Sequence, residues 1–384
     1  QLQRARDAAG DPDAGRRVRI GILYPGYDPA HRTRPENLRN DLERNFVEGG
    51  NSAADPGDSG LLRNPGHGTA TLAILAGNRL TDLDPQVPST GDYFGGAPHA
   101  EAVPVRIANS VVLFSNSSFA RGLDYVLSSG CHVVSISMGG VASKAWTEVV
   151  NRAYDLGVVI AAAAGNNYGG LPTRHIVYPA RYRRVIAACG AMANRQPYAG
   201  LPISILQGNW GPDSKMETAL AAYTPNIPWA QWHCENLLSL DGRGTSAATP
   251  QVAAAAALYV QQHWDELGRY TEPWKRVEAV REALFSSASR DGVDRGKLGQ
   301  GLLRAADALR VAPGVNMTKQ PEDDATFAFL RILTGLGVAP PARLEMYGVE
   351  AAQMLQGDAG LQAIIPDPDL PAGLIPRTAV RDFM

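Results

Sequence analysis

Residues 242–250 place a serine, Ser246, between a glycine-containing loop and a strongly helical run, in the order Gly-Arg-Gly-Thr-Ser-Ala-Ala-Thr-Pro. A serine at the start of a helix lies beside backbone N–H groups that lack an intrahelical acceptor, and such groups stabilise an oxyanion on an attacked carbonyl. Pro250 falls in the first helical turn, where its missing N–H costs least. The segment alone fits a nucleophile and an ordinary helix-capping serine equally well.

A histidine begins a second predicted helix in residues 64–77, where His67 stands between two glycines. The glycines allow another group to approach the imidazole closely. No second histidine or carboxylate follows at metal-ligand spacing on the same helix face, which argues against a metal ligand. Residues 158–167 form an apolar run that ends in Gly-Asn-Asn. The Asn166 amide at this strand end could donate to an oxyanion, although the segment alone fits a turn better.

Together these segments resemble the subtilisin-like serine peptidase family in residue type, order and spacing. The histidine segment resembles the family's His-Gly-Thr motif, and residues 163–167 resemble its oxyanion-asparagine motif. Residues 244–250 resemble the nucleophile motif, and residues 133–140 resemble the substrate-lining strand. The resemblance extends over residues 16–310.

The resemblance implies hydrolysis of peptide bonds through an acyl-enzyme on Ser246, with His67 as the base. Asn166 and the Ser246 N–H would then hold the oxyanion. The residues that would line the cleft and pair with an extended substrate are Ser137, Met138 and Gly139. The implied partner is a peptide or protein substrate. The chemistry requires no cofactor and no metal, and structural calcium is left open.

The resemblance fails at the acid of the catalytic triad. The family carries Asp-Thr-Gly at the end of the first strand, whereas residues 20–28 read Ile-Gly-Ile-Leu-Tyr-Pro-Gly-Tyr-Asp and place Tyr24 at the acid position. Asp28 matches a non-catalytic family aspartate better, and Asp55 and Asp58 are candidates by proximity alone. A phenol can accept a hydrogen bond from an imidazole but is uncharged at neutral pH. The sequence therefore predicts a serine endopeptidase that is impaired or highly selective. The alternative is a pseudoprotease that binds an extended peptide or a protein partner.

Apolar strands alternate with helical runs along most of the chain. The predicted strands are 18–24, 102–107, 133–137, 158–164 and 185–188, and the predicted helices are 69–76, 119–127, 144–156, 247–263, 274–285 and 301–309. Continuous apolar strands between helices indicate a parallel sheet covered on both faces. The predicted fold class is therefore α/β, a subtilisin-like three-layer sandwich. Residues 190–244, rich in Pro, Asn, Gly and Trp, predict long loops with short strands.

The length of 384 residues suits one large domain with a small extension. We expect an N-terminal segment over residues 1–15, a peptidase domain over 16–311 and a mostly helical C-terminal extension over 312–384, packed on the domain. The formal net charge of −2 lacks the basic excess expected of a nucleic-acid-binding protein. No apolar run approaches the roughly 18–20 residues of a membrane span. Neither location nor oligomeric state is indicated.

Overall fold

The computed structural model describes residues 1–57, 64–80, 92–113, 116–140, 142–167, 176–201 and 206–323. Its strands, in chain order, are β1 (Arg19–Tyr24), β2 (Arg44–Asn45), β3 (Glu101–Arg106), β4 (Val112–Leu113), β5 (Val133–Ile136), β6 (Gly139–Gly140), β7 (Val159–Ala163), β8 (Asn166–Asn167), β9 (Ile186–Ala191), β10 (Gln207–Gly208), β11 (Ala219–Tyr223), β12 (Ile227–Ala230) and β13 (Leu238–Gly242).

Seven of these strands form one parallel sheet in the order β11-β9-β7-β5-β1-β3-β2. The strand β1 lies between β5 and β3, and its register pairs Tyr24 with Arg106 of β3 and Leu23 with Ile136 of β5. Because the strands are parallel, the segments that follow β1, β5 and β7 emerge at the same edge of the sheet. That edge is where ligands bind in open parallel sheets.

The helices cover both faces of the sheet. In chain order they are α1 (Leu2–Ala9), α2 (His67–Ala76), α3 (Asn116–Ser128), α4 (Lys144–Asp155), α5 (Asp213–Met216), α6 (Thr245–Gln262), α7 (Trp264–Gly268), α8 (Trp274–Ser286), α9 (Arg295–Leu298) and α10 (Ala305–Ala308). Helices α1, α2, α6 and α8 contribute to the core on one face, and α3 and α4 contribute to the core on the other. The predicted three-layer architecture is therefore confirmed.

Both ends of the described chain pack on this domain. Within the predicted N-terminal segment, α1 lies against α6 and its Ala5 is fully buried. At the other end, the buried Arg184 guanidinium donates to the carbonyls of Gln320 at 2.9 Å and Pro321 at 3.1 Å. The Asp323 carboxylate accepts the Arg184 N–H at 3.0 Å. The rest of the predicted extension lies outside the described residues. Among the described helices, none combines the length and apolar character that a membrane crossing requires.

Candidate active site

Ser246 is the second residue of α6, and its hydroxyl does not cap the helix. The cap position belongs to Gly244, whose φ of 77° is accessible mainly to glycine. The Ser246 Oγ donates to the Ser137 carbonyl at 3.3 Å, and the Ser137 Oγ donates to the Ser246 carbonyl at 2.9 Å. These bonds tie the first turn of α6 to the end of β5. Ser143 shows what a capping serine does here, because its oxygen accepts the Trp146 N–H at the start of α4.

Asn166 follows β7 and is held against the residue that precedes the nucleophile. Its Oδ1 accepts the Thr245 N–H at 2.8 Å and lies 3.2 Å from the Thr245 hydroxyl, which also donates to the Gly165 carbonyl at 3.0 Å. A Cβ on Gly244 would lie 2.8 Å from Asn166 Oδ1, so glycine is needed for this approach. Because Oδ1 is committed to Thr245, the amide nitrogen is the group left to donate to a ligand. Sequence reasoning missed this role of Thr245.

His67 is the first residue of α2, and both flanking glycines are required by close contacts. A Cβ on Gly66 would lie 2.5 Å from Cβ of Trp232, and one on Gly68 would lie 1.9 Å from the Gly26 carbonyl oxygen. The imidazole is partly exposed, but its Nδ1 is buried and has no hydrogen bond to any described residue. Burial lowers the pKa of His67 to about 4.

Tyr24 ends β1, the strand end where the resemblance places the acid. Its side chain is 1% exposed, and its ring stacks on Tyr27 with centroids 6.1 Å apart. The same ring lies against α2, since a Cβ on Gly68 would come within 2.5 Å of it. The hydroxyl is buried, and within the described part of the chain it has no hydrogen-bond partner, His67 included. Burial raises the pKa of Tyr24 well above its usual value, so the phenol stays neutral.

The carboxylates considered as substitutes bind backbone groups instead of the imidazole. The Asp28 carboxylate accepts two backbone N–H groups, at 2.9 and 3.1 Å. The Asp55 carboxylate accepts the N–H of Gly57 at 2.9 Å and that of Gly66 at 2.8 Å, immediately before the histidine. Asp58 lies outside the described residues. The described carboxylates therefore leave Nδ1 of the imidazole without a counter-charge.

The predicted substrate-lining segment follows β5 and consists of Ser137, Met138 and Gly139. The first two side chains are buried. The strand β4 pairs in parallel with β6, and the Gly139 N–H donates to the Val111 carbonyl at 3.1 Å. On the other side, the Gly140 N–H donates to the Tyr178 carbonyl at 2.8 Å. Both edges of this short strand are thus already paired within the chain.

The three predicted catalytic residues lie at one edge of the fold. Helices α2 and α6 pack against each other, and they begin at His67 and one residue before Ser246. Asn166 is held at the start of α6 by its hydrogen bond with Thr245. The hydrogen bonds of the described residues include none between Ser246 and His67, a looseness common in ligand-free hydrolases. Among the described residues there is no group of three or more His, Cys, Asp or Glu placed to hold a metal ion.

This combination of fold and site is that of a serine hydrolase built on a parallel α/β sandwich. The model of the subtilase family matches residues 15–303. The chain therefore belongs to the subtilase family, the subtilisin-like serine peptidases, whose substrates are peptides or proteins.

Two subtilisins and one solved structure illustrate the similarity. Subtilisin DY from Bacillus licheniformis is 28% identical over 298 residues, which cover 77% of this chain and 92% of that protein. Subtilisin Savinase from Lederbergia lenta is 29% identical over 299 residues, with the same two coverages of 77% and 92%. The structure of a mutant of the protease domain of PatA matches with a TM-score of 0.58 and 22% identity, over 78% of this chain and 95% of that chain. The predicted family and fold are both confirmed.

Proposed function

We propose that the chain is a slow and selective serine endopeptidase in which Ser246 attacks the peptide carbonyl and His67 accepts the Ser246 proton. The observation that carries this proposal is the hydrogen bond from the Thr245 N–H to Asn166 Oδ1 at 2.8 Å. It leaves the Asn166 amide nitrogen as a donor beside the nucleophile, where an oxyanion develops. A protein that only binds peptides has no need for a donor at this place.

In this reaction the Ser246 Oγ leaves the Ser137 carbonyl and turns to the imidazole. Its oxygen forms a bond to the substrate carbonyl carbon while its proton moves to His67. Negative charge develops on the carbonyl oxygen, which the Asn166 amide and the Ser246 N–H bind. The imidazolium then protonates the leaving amine as the C–N bond breaks. A water molecule, deprotonated by His67, then attacks the acyl carbon; the acyl group leaves as a carboxylic acid as its bond to the Ser246 Oγ breaks, and the imidazolium returns its proton to that oxygen.

Two properties of His67 support a slow reaction. Its Nδ1 has no acceptor among the described residues, so none of these residues fixes its tautomer or stabilises the charge of its imidazolium. Burial also lowers its pKa to about 4, which disfavours the imidazolium by about 3 kcal/mol. In subtilisin, loss of the triad acid alone lowers kcat by about 3 × 10⁴, with residual catalysis from the rest of the site. We expect a reduction of similar order here.

The pairing of β6 supports selectivity. An extended substrate binds a peptidase of this kind by adding a strand to a free edge. Here β4 lies on one side of β6 and Tyr178 lies on the other. A substrate must therefore displace one of these partners, and only a peptide with favourable side-chain contacts gains enough binding energy to do so.

The second candidate function is a pseudoprotease that holds a peptide or protein partner in the cleft. Within the part of the chain that the structure describes, Nδ1 of His67 has no partner, and this favours the second candidate because an imidazole without a counter-charge is a poor base. A pseudoprotease, however, gives no reason for the hydrogen bond from the Thr245 N–H to Asn166 Oδ1. The peptidase accounts for both observations and is therefore our proposal.

Labelling with a fluorophosphonate probe separates the two candidates. We expect slow covalent labelling of the full-length protein. Ser246→Ala should abolish this labelling and lower the free energy of unfolding by about 1 kcal/mol, because one hydrogen bond is lost. The matched control is Ser143→Ala, which removes a capping serine from α4. It should lower stability by about 1 kcal/mol and leave labelling intact. Complete inertness of the wild type, together with tight binding of a peptide, would establish the pseudoprotease.

A further inference from the structure

The hairpin formed by β12 and β13 covers the first turns of α2. It joins the helix in a small apolar cluster made of Ala70, Ala73, Leu80, Ala230 and Leu238. Trp229, on β12, packs at the border of this cluster. Its ring meets the His67 ring in an edge-to-face contact, with centroids 5.7 Å apart and planes at 69°. The indole of Trp229 therefore forms an aromatic wall on one side of the imidazole.

The position of this wall is fixed by the hairpin itself. Gly242 on β13 faces the indole, since a Cβ there would lie 2.9 Å from Trp229 Cε3. Beyond the strand, the N–H of His233 donates to the Asp28 carboxylate at 3.1 Å and holds the hairpin to the loop after β1. The ring is thus supported both from its own hairpin and from the body of the domain.

We infer that Trp229 is a positioning residue for His67, fixing by packing the ring orientation that a triad carboxylate fixes by hydrogen bonding. The inference rests on the proposed function, in which His67 is the base. A hydrogen bond at Nδ1 restricts the rotation of an imidazole ring, but His67 has no such bond to any described residue. Its orientation then depends on ring contacts, and an edge-to-face pair favours one orientation by about tenfold.

The contact orients the imidazole without stabilising its charge. The indole is neutral, and the candidate acids within the described residues do not compensate. The Asp55 carboxylate is committed to backbone N–H groups, the Asp28 carboxylate binds the hairpin, and the Tyr24 phenol is neutral. The wall also contributes to the burial that lowers the pKa of His67 to about 4. Removing the indole should therefore loosen the ring and raise this pKa toward about 6.5, the ordinary histidine value.

The test compares Trp229→Leu and Trp229→Phe with a matched control, Trp264→Leu. The Trp264 ring meets His132, which precedes β5, with centroids 5.1 Å apart. This control deletes a similar tryptophan–histidine contact at the opposite edge of the sheet. At pH 8 we expect Trp229→Leu to slow labelling of Ser246 by about tenfold or more. The ring-preserving Trp229→Phe should keep at least about half of the rate, and Trp264→Leu should not change it.

A second measurement follows the His67 imidazole itself, by NMR titration of protein carrying ¹⁵N-labelled histidine. Trp229→Leu should raise the pKa of His67 and leave that of His132 unchanged, and Trp264→Leu should give the reverse. Unchanged labelling and unchanged His67 titration in a folded Trp229→Leu would overturn the inference. If that variant does not fold, Trp229→Met serves the same comparison. If the wild type is never labelled, the proposed function fails, and the titration alone decides whether Trp229 governs the imidazole.

Discussion

Replacing Tyr24 by phenylalanine should stabilise the protein, because it removes a buried hydroxyl that has no hydrogen bond to any described residue. Leaving such a group unsatisfied costs about 1–3 kcal/mol. The change keeps the ring, which stacks on Tyr27 and lies against Gly68. We expect Tyr24→Phe to raise the free energy of unfolding by about 1 kcal/mol. In a domain of this size that corresponds to roughly 2 °C in Tm.

The same variant tests whether Tyr24 acts in place of the missing acid. Because its hydroxyl makes no bond to His67, labelling of Ser246 should stay within about twofold of the wild-type rate, which is about 0.4 kcal/mol. The assays are urea denaturation, followed by tryptophan fluorescence, and the rate of fluorophosphonate labelling.

Tyr154→Phe is the matched control for the stability measurement. Tyr154 is equally buried, but its hydroxyl donates to Glu278 at 2.9 Å and accepts the Gln320 N–H at 2.9 Å. This control should lose about 1–2 kcal/mol. If Tyr24→Phe loses a comparable free energy of unfolding, or is labelled tenfold more slowly, the Tyr24 hydroxyl has a partner after all. Tyr24 would then again be a candidate partner of His67.

Three further predictions concern the rate and its pH dependence. Tyr24→Asp places a carboxylate where the ring now contacts Gly68. It should raise kcat on an activated ester by about tenfold, a small part of the 3 × 10⁴ that an acid contributes; no increase would show that position 24 cannot serve the imidazole. Asn166→Ala should lower kcat by about 10²–10³ with little change in KM. A rise in KM as large as the fall in kcat would instead point to a general binding defect. Labelling of Ser246 should stay level from pH 8 to about pH 5 and fall through the His67 pKa of about 4. The unfolded chain binds this proton near pH 6.5 and the folded chain near pH 4, so the free energy of unfolding should also fall between those pH values as the solution is acidified. A labelling rate that already falls near pH 6.5 would contradict both expectations.

Apolar periodicity was sufficient to predict most of the sheet and its flanking helices. The predicted helix at 274–285 is observed at Trp274–Ser286, and the predicted strand at 158–164 is observed at Val159–Ala163. The strand is buried along its whole length, so its apolar composition reveals it, whereas the helix is revealed by apolar residues at helical spacing. The predicted helix at 301–309 is shorter, Ala305–Ala308, because Leu302 forms bridges with Ala221 and Ser289. Such pairing depends on distant segments and leaves no local pattern.

Sequence reasoning proposed candidate site residues only where the chain carries a motif. Ser246, His67 and Asn166 occur in short segments whose glycines and helix starts are visible in the sequence. The contact of Trp229 with His67 joins residues more than 160 positions apart, from a region whose composition suggested loops with short strands. The support of Asn166 by Thr245 likewise depends on the meeting of two distant segments. Neither could be found without the fold.

Ser246 and His67, the proposed nucleophile and base, are held by parts of the fold that differ in stability. Helix α6 is buried along most of its length and packs against β5, β7, β9 and β11, so its amides exchange with solvent only when the whole domain opens. Ser246 therefore keeps its place for as long as the protein is folded. The ring of His67, at the start of α2, also contacts a two-stranded hairpin, which can detach at a lower free energy. On gentle heating the contact that orients the His67 ring should be lost first, and recover on cooling, while Ser246 remains in place.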